Sequence, residues 1–564
     1  MKKFLLLILI AAAATMASSG STTWNLQGVK YNVDTLYHAQ IGPGTTQTTV
    51  ALSGAVNLTV YYTTTCLTNP DVNLKVIMSK NNLTSTATVA NMPTLHGDNS
   101  NTYFAGVNSD YFSSGGSIGT TVVSNELYKS YKGTGWYAIG IDSAKILHSG
   151  APYTTLRMVS PNGGQASIKA VNVARSSNEL ILYTWCKGTS TGTDNTGVEV
   201  GAVAVDAGGL KANGTTRMKV ITAPQSKVGN MAIAPDSGFV LSGNGFTTTA
   251  LSKMQVGEIF EVTPTIYFNN VVTNGITEMA GGCPMLLQSG KILETQGLLD
   301  HLSTRQPRTA IGYNATSDTV VLLVVDGREI GESAGVTSKD LAAMMLNLGC
   351  SEALNFDGGG SSTLYVKGLG VRNNPSDGTP RAVKQGLFLA TPATGDNTIA
   401  KIRFADYVGK VVAGGTYKPV IYGYDTKDVL INTNVTEFTL SCPTEMGKTN
   451  GTTVTCENVN GVFPLTANYG NLSASIPVTV GSGAGIATIN ADKAISIYPN
   501  PINAGENAKI VTKGKAEISL YSISGQLLST ITADGGYSEL PTQNLPKGIY
   551  IVKAEGQTLK LIIK

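Results

Sequence analysis

Short apolar runs separated by polar turns dominate the first 390 residues and predict a β-rich fold. Residues 55–62, 72–78 and 180–185 are typical examples. Such runs of β-branched and aromatic residues, bounded by Gly, Asn and Ser, indicate strands. Residues 319–325 (TVVLLVV) are apolar without interruption, as expected for a strand buried on both faces.

A helix is predicted at residues 338–348, because its apolar residues recur on one face and a capping residue precedes them. Residues 352–356 then predict a second short strand. A strand, a helix and a strand at this spacing suggest a parallel crossover unit. Such a unit places Asp326 and Asp357 at the carboxyl ends of nearby strands, where ligands of open α/β sheets usually bind.

Beyond residue 390 the pattern changes to short strands between Gly- and Pro-rich turns. Residues 391–396 and 481–485 read as linkers. Residues 398–481 predict an immunoglobulin-like sandwich, and residues 494–564 a smaller β-sandwich. The predicted fold class is therefore an α+β domain with a mixed sheet over residues 22–390, followed by these two β-sandwiches.

Composition limits the classes of function. A chain of 564 residues is too long for one core. The net charge of +3 and the absence of a basic tract argue against nucleic acid as a partner. Only 14% of residues are charged, which suits extracellular β-rich domains with many turns.

The amino terminus predicts export. Lys2 and Lys3 precede an apolar run at 4–14, and small residues follow, so residues 1–17 read as a signal peptide. The alternative is a membrane anchor, but the run is short for a membrane span. No other stretch is long and apolar enough, so no transmembrane segment is expected.

The cysteines form no CxxC pair, and only four histidines are present, which makes a zinc site improbable. Export permits disulfides. Cys442 and Cys456 are the best candidate pair, because both lie in one β-rich segment. The sequence leaves open whether the remaining four are paired, namely Cys66, Cys186, Cys283 and Cys350.

The segment LNFDGGGSST at 354–363 carries the strongest chemical signal. The three glycines after Asp357 permit positive φ and close backbone approach, so their amides can converge on an anion. The hydroxyls that follow extend this donor set. The alternative is a glycine-rich hairpin turn. The predicted anion-binding residues are Gly358, Gly359, Gly360, Ser361 and Ser362.

Three aspartates are candidates for catalysis. Asp326 and Asp357 at one sheet edge would suit a glycosidic carboxyl pair, or would supply oxygen ligands for Ca²⁺ or Mg²⁺. The sequence does not choose between these roles, and no cofactor is required. Asp110, in the elbow NSDYF after a strand, is a candidate acid or base or a turn-capping residue.

Other polar residues could hold a ligand. Arg308 precedes a strand and could clamp an oxyanion, or form a structural ion pair. The loop at 190–200 is dense in hydroxyls and amides, so it could bind sugar or be a solvated hairpin. Its candidate residues are Thr191, Thr193 and Glu199.

The last 70 residues resemble the C-terminal sorting domain of the type IX secretion system. The resemblance rests on YPNP at 498–501, LYSISGQ at 520–526 and LPKGIYIVK at 545–553. It implies passage through the periplasm to the cell surface or the medium, with the type IX secretion machinery as a partner.

Residues from about 30 to 390 resemble the phosphodiester glycosidase family, which includes the enzyme that uncovers mannose 6-phosphate. The motifs are GVNSDYF at 106–112, LYTWCKGTSTGTDNTGVEV at 182–200, GGCPMLL at 281–287, PRTAIG at 307–312, VVDG at 324–327, LNFDGGGSSTLYVKG at 354–368 and NNPSDGTPRAV at 373–383. Ser109-Asp110 stands where glycines are common in the family. The resemblance implies hydrolysis of a sugar phosphodiester, with α-linked N-acetylglucosamine as the usual sugar.

The sequence thus predicts a secreted hydrolase that removes a sugar from a sugar-1-phosphodiester. Asp357, with Asp110 or Asp326, would do acid/base or metal-assisted work beside Arg308. The alternatives are a non-catalytic cell-surface protein that binds glycan, or a phosphodiesterase that cuts P–O. The resemblance and the loops add four further substrate-binding candidates, namely Asn108, Asn374, Ser376 and Asp377.

Overall fold

The computed structural model describes residues 22–206, 208–293, 299–316, 319–329, 331–394, 397–405, 411–481, 495–498, 502, 504–522, 525–554 and 557–563. The predicted signal peptide, the linker after residue 481 and part of the YPNP motif lie outside these residues. The chain divides into two compact units, one of residues 1–409, 421–437 and 468–474, the other of 410–420, 438–467 and 475–564.

The first unit is built on a nine-stranded sheet whose neighbouring strands are all antiparallel. In spatial order its strands are Thr22–Leu26, Val29–Gly42, Thr45–Ser53, Asn57–Cys66, Thr319–Val325, Arg308–Asn314, Glu352–Asn355, Met285–Gln288 and Lys291–Ile292. The predicted mixed sheet is therefore wrong for this layer. The reason is that Arg308–Asn314 lies between the two strands of the predicted crossover.

The crossover nevertheless has the predicted direction. Thr319–Val325 and Glu352–Asn355 both run antiparallel to Arg308–Asn314 and are therefore parallel to each other. Asp326 and Asp357 follow their carboxyl ends. Because the intervening strand runs the other way, its first residue, Arg308, lies at the same edge of the sheet.

Helix Ser338–Asn347 connects these strands and packs on one face of the sheet. Thr337 and Asp340 form a capping box at its start, and Gly349 follows it with φ of 82°. Its apolar face is buried against the strand residues, as the periodicity predicted. The other α-helices of the described residues are short, Met92–His96 and Thr248–Leu251.

A second sheet of nine strands packs its own core. Its strands are Gly164–Ile168, Pro152–Ser160, Ile259–Phe268, Thr216–Ser226, Val198–Ala204, Gly238–Gly243, Leu180–Thr184 and Ala170–Val171, with Val271–Val272 beside Ile259–Phe268. The pair Ala170–Val171 and Leu180–Thr184 is parallel, and the others are antiparallel.

Two five-stranded sheets and two smaller ones complete the first unit. The first has Glu126–Lys129, Thr121–Val123, Ile276–Gly282, Tyr137–Asp142 and Leu147–Gly150, and the second has Gly370–Val371, Leu364–Val366, Asn101–Asn108, Gln385–Pro392 and Asn73–Met78. The smaller sheets are Phe112–Ser113 with Gly116–Ser117, and Lys401–Phe404, Ile421–Tyr424 and Leu430–Asn432. The strand Asn101–Asn108 delivers the Asn108–Asp110 elbow to the edge that carries Asp357.

Residues 411–563 contain three further sheets. They are Val411–Val412, Leu472–Gly481, Gly461–Tyr469 and Thr439–Ser441, then Thr416–Tyr417, Thr453–Cys456 and Gly447–Asn450, then Ile495–Tyr498, Ala508–Ser522, Leu527–Leu540, Gly548–Ala554 and Gln557–Ile563. The last five are joined by antiparallel pairs and bury a core of their own, and the predicted small β-sandwich stays a prediction. The immunoglobulin-like assignment and the domain boundaries stay predictions.

None of the six cysteines, all of them among the described residues, forms a disulfide. The predicted Cys442–Cys456 disulfide is therefore not formed. The thiol of Cys442 donates to the carbonyl oxygen of Gly447 at 3.5 Å, and Cys456 pairs with Gly447 in the strand ladder. Proximity in sequence does not set the geometry that a disulfide needs. Among the described helices, none is long and apolar enough to cross a membrane.

Candidate active site

The turn after strand Glu352–Asn355 carries Asp357 at the edge of the first sheet. Its backbone is fixed from two sides, since the Asp357 amide donates to Ser109 O at 2.8 Å and Asn108 Nδ2 donates to Asp357 O at 2.7 Å. The carboxyl group is half-buried. Burial raises the pKa of Asp357 to about 6, against the opposing effects of Ser361 and Arg381. Asp357 therefore changes charge near neutral pH.

Asn108 joins three segments of this edge. Besides its bond to Asp357, its Oδ1 accepts from Thr309 Oγ1 at 2.9 Å and from the Thr363 amide at 3.0 Å. The side chain is 1% exposed. These contacts make Asn108 a positioning residue for the turn, and the role in substrate binding expected from the sequence stays a prediction.

Replacing Asn108 with alanine should lower the free energy of unfolding by about 3 kcal/mol, because it leaves the Thr363 amide and the Asp357 carbonyl buried without partners. Urea unfolding measures this change. Asn108→Asp loses the donor and also buries a carboxyl group next to Asp357, so it should be less stable than wild type as well. Equal stability of all three proteins would contradict the positioning role.

Three amides of the glycine turn already have partners within the protein, and the predicted amide nest stays a prediction. The Gly359 amide donates to Pro307 O at 2.9 Å, and the amides of Ser361 and Ser362 donate within the turn. These donors are used by the protein itself. Gly358 is needed because a Cβ would lie 2.8 Å from Pro307 O, and Gly359 has φ of 60°.

Two exposed arginines instead bring positive charge to this turn. A Cβ on Gly359 would lie 3.0 Å from Arg328 Nη2, and Arg381 Nη1 donates to Ser361 Oγ at 3.4 Å. Arg328 has φ of 66°, a strained conformation for a residue other than glycine, and its Nε donates to Gln306 Oε1 at 2.8 Å. Sequence reasoning missed both arginines, although both lie in or directly after the motifs quoted above.

The predicted residues 374–377 lie around these arginines. Asp377 Oδ2 accepts from Arg381 Nη2 at 2.7 Å, and Ser376 Oγ accepts from Arg328 Nη1 at 3.4 Å. The Asn374 amide donates to both oxygens of Asp326, at 3.1 and 3.2 Å. The structure therefore brings this segment together with the Asp357 turn.

Asp326 is 2% exposed and is occupied by protein donors. Burial raises its pKa to about 6, and Asn374, Tyr61 and Asn373 oppose that rise. Glu329, which sequence reasoning missed, is half-buried beside it and hydrogen-bonds Asn374 Nδ2 at 2.5 Å. Burial and the charge of Asp326 raise the pKa of Glu329 to about 7.

Asp110 is the other carboxyl of the site and is also 2% exposed. It accepts from the Gly119 amide at 2.6 Å and from Trp136 Nε1 at 2.9 Å. Burial raises its pKa to about 7, and the charge of Asp357 adds to the increase. The charge of Asp357 thus raises the pKa of Asp110, and the charge of Asp326 raises the pKa of Glu329.

Arg308 is fully buried and holds backbone rather than a carboxylate. Its Nη2 donates to His301 O at 2.7 Å and Thr304 O at 3.0 Å, and its Nε to Val336 O at 3.1 Å. Burial lowers its pKa. Nη1 has no hydrogen-bond partner among the described residues, so the two N–H donors of this nitrogen are left over. The structural ion pair considered from sequence is not what holds it.

Tyr111 follows Asp110 in the chain and was not predicted as a site residue. Its hydroxyl accepts from Asn355 Nδ2 at 3.0 Å, and its ring meets Trp136 edge-on at 5.6 Å. Burial and the charge of Asp357 raise the pKa of Tyr111. No periodic pattern in the sequence indicates that Tyr111 and Trp136 lie next to each other.

The loop at 191–199 forms a cluster of its own on the second sheet. Thr193 Oγ1 donates to Glu199 Oε1 at 2.7 Å, and Thr191 Oγ1 donates to Glu199 Oε2 at 3.4 Å. Glu199 is fully buried. Its other partner, the Met231 amide at 2.8 Å, comes from the segment between strands Thr216–Ser226 and Gly238–Gly243. These contacts do not connect Thr191, Thr193 or Glu199 to the Asp357 turn.

No cluster of three or more His, Cys, Asp or Glu side chains in the described part of the chain could hold a metal ion. The pairs Asp326–Glu329 and Asp110–Asp357 each have two such residues.

Comparison with known proteins places this edge in a family. Residues 195–390 match the family model of the phosphodiester glycosidases, and residues 496–564 match the secretion system C-terminal sorting domain. The first match includes Arg308, Arg328, Asp357 and Arg381, but not the Asn108–Asp110 elbow.

Individual relatives are distant or short. A SPbeta prophage-derived uncharacterized protein, YomE, of Bacillus subtilis (strain 168) is 42% identical over 91 residues, which are 16% of this chain and 14% of that protein. A hypothetical protein from Synechocystis is 17% identical, with a TM-score of 0.48 and 62% of each chain covered. The zebrafish N-acetylglucosamine-1-phosphodiester alpha-N-acetylglucosaminidase catalytic domain is 14% identical, with a TM-score of 0.32, covering 63% of this chain and 87% of that one.

The family match includes the edge at which Asp326, Asp357 and the three arginines meet, and the sorting-domain match covers the last five strands. The sorting domain indicates type IX export to the cell surface or the medium. Residues 195–390 therefore match the phosphodiester glycosidase family, and residues 496–564 match the C-terminal sorting domain of a secretion system.

Proposed function

We propose that this protein hydrolyses a sugar-1-phosphodiester, releasing the free sugar and leaving a phosphomonoester. The observation that carries the proposal is the position of Arg328 and Arg381 on the glycine turn that presents Asp357. Guanidinium groups match the oxygens of a phosphodiester. A half-buried carboxyl group beside them can act on the sugar that the phosphate carries.

In the proposed reaction the ionised carboxylate of Asp357 is the base. Water attacks the anomeric carbon and gives its proton to Asp357, while the bond between that carbon and the phosphate oxygen breaks with its electron pair. The departing phosphomonoester has a second pKa near 6, so it leaves without a strong acid. Arg328 and Arg381 stabilise the additional negative charge that it gains.

The buried carboxyls have supporting roles in this scheme. Asp110 is 2% exposed and its oxygens are occupied by Gly119 and Trp136. It acts on Asp357 through its charge and not by contact with the substrate. Asp326 fixes the backbone of Asn374 and thereby positions the 374–377 segment. Of the three aspartates named from sequence, Asp357 is the one that can reach a substrate.

The test is turnover by the exported chain on a panel of sugar-1-phosphodiesters, followed by NMR. N-acetylglucosamine is the first sugar to include, because the resemblance to the family points to it. Free sugar together with a phosphomonoester is the expected result. Saturable binding without turnover would favour the non-catalytic glycan-binding alternative.

Substitution of Gly360 tests the predicted role of Arg381 in phosphate binding. A Cβ at this position would overlap Arg381 Nη2 and the carboxylate of Asp377, which are flexible side-chain ends. Gly360→Ala should therefore raise KM for the phosphodiester by roughly 10-fold, as expected from the loss of one charge-assisted hydrogen bond, and change the melting temperature little.

Gly358→Ala is the matched comparison. Its Cβ would meet the rigid backbone oxygen of Pro307 at 2.8 Å, so this change should lower the melting temperature. The substitution Gly360→Ala displaces the ion pair between Arg381 and Asp377. If KM nevertheless stayed unchanged, this result would contradict a role of Arg381 in phosphate binding.

A further inference from the structure

A cavity of about 550 Å³ lies at the far end of strands Arg308–Asn314 and Glu352–Asn355, away from the sheet edge that carries Asp357. Tyr313 and Glu352, which line it, face each other in the strand ladder. Tyr313 is five residues from Arg308, which corresponds to about 17 Å along a strand. The cavity is therefore separate from the Asp357 turn, and its size suits a small ligand.

The floor of the cavity is rich in hydrogen-bond acceptors. Glu352 accepts from the Ser289 amide at 2.7 Å and from Ser149 Oγ at 3.3 Å. A carboxylate has about four acceptor positions, so two remain for a ligand. The Nε2 atom of His148 contacts Asp142 Oδ2 at 3.0 Å, which leaves Nδ1 for a ligand.

The cavity offers a phosphate no ammonium or guanidinium donor that is free of protein partners. Lys145 is the one lysine or arginine among its described lining residues. Its three donors are used by the backbone oxygens of Asn69, Pro70 and Val72, at 3.3, 3.2 and 2.8 Å. With Glu352 on the floor, the cavity disfavours anions and favours neutral groups that donate hydrogen bonds. This chemistry is the reverse of that at the arginine-flanked turn.

The rim is apolar and exposed. Ile146 at one hairpin tip is 57% exposed, and Val271 and Val272 beside another tip are 66% and 47% exposed. Asn269 and Asn270, both with positive φ, form the turn that presents these valines. Phe268 lies beneath them and contributes an aromatic surface to the lining.

We propose that this cavity is a second binding site, for a neutral sugar residue of a glycan. A sugar ring presents hydroxyl donors along its edge and an apolar C–H face. The hydroxyls match the acceptors of Glu352 and His148, and the C–H face matches Phe268 and the rim valines. The site would hold the exported protein on a neutral glycan independently of the reaction proposed for Asp357.

The test measures binding of methyl glycosides of glucose, mannose, galactose and N-acetylglucosamine, and of their neutral oligosaccharides, to the exported chain by NMR. Saturable binding at concentrations up to about 10 mM is expected for at least one of them, since single-sugar sites have millimolar dissociation constants, equivalent to about −4 kcal/mol. The double variant Val271→Asp/Val272→Asp should weaken it at least 10-fold. Glu352→Gln should also weaken it.

The controls distinguish binding in this cavity from binding at the Asp357 turn. Val462→Asp changes a valine that is 65% exposed elsewhere in the chain, and should leave binding unchanged. Turnover of a small phosphodiester should be the same in Val271→Asp/Val272→Asp as in wild type. Binding that survives the rim variant but is lost in Arg328→Ala/Arg381→Ala would overturn the proposal, and so would the absence of saturable binding across the panel.

Discussion

Replacing Asp357 with asparagine should reduce turnover of the sugar-1-phosphodiester by about 10² to 10⁴-fold, the usual contribution of a positioned acid or base. Asparagine keeps the size of the side chain, and the contacts that hold the turn are made by the Asp357 backbone. The melting temperature should therefore stay within a few degrees of wild type. Initial rates and thermal unfolding of the same preparation check both statements.

Asp206→Asn is a matched control, because it makes the same chemical change at an exposed aspartate on the second sheet. It should retain full activity. If Asp357→Asn lost fold and activity together, the role of Asp357 would be structural.

The pH dependence of kcat/KM shows whether Asp357 acts as a base or as an acid. Burial raises the pKa of Asp357 to about 6, and the proposed base works in its ionised form. In wild type, kcat/KM should therefore rise as pH increases through about 6. A fall in kcat/KM through the same interval would show that the protonated form is active and that Asp357 is an acid.

Removing Arg328 and Arg381 together should lower kcat/KM by roughly 100-fold. Each guanidinium would donate a charge-assisted hydrogen bond to the phosphate, worth about 1.5 kcal/mol at the lower limit. Both side chains are exposed, so the double alanine variant should fold normally. Single variants should each show part of the loss.

Arg157→Ala serves as the control, since Arg157 is an exposed arginine of the second sheet. It should leave kcat/KM unchanged. An equal loss of activity in Arg157→Ala and in the double variant would indicate a general effect of net charge. Full activity of the double variant would place the phosphate elsewhere.

The backbone of the candidate site could be predicted from the sequence. An apolar run that ends at Asp326, a capped helix and a short strand that ends at Asp357 are all local patterns, and they put both carboxyls at one edge. The intervening antiparallel strand is a long-range pairing with no local signal. It is the reason why the sheet is antiparallel and why Arg308 lies at the same edge.

The donor set at this edge could not be predicted in the same way. Whether a glycine-turn amide is free depends on which carbonyl packs against it, and here Pro307 O takes the Gly359 amide. The partners of Arg308 likewise come from residues 301–304 and 336. Arg328 and Arg381 lie in or directly after motifs that the sequence analysis quoted, so their residue type was a usable signal. Glu329 and Trp136 had none.

The most direct test of the proposed reaction is hydrolysis in ¹⁸O-labelled water, with mass analysis of both products. The proposed attack on the anomeric carbon predicts that the label enters the free sugar and that the phosphomonoester remains unlabelled. Label in the phosphate would show that the P–O bond is cut, and would contradict the assignment of this protein as a glycosidase.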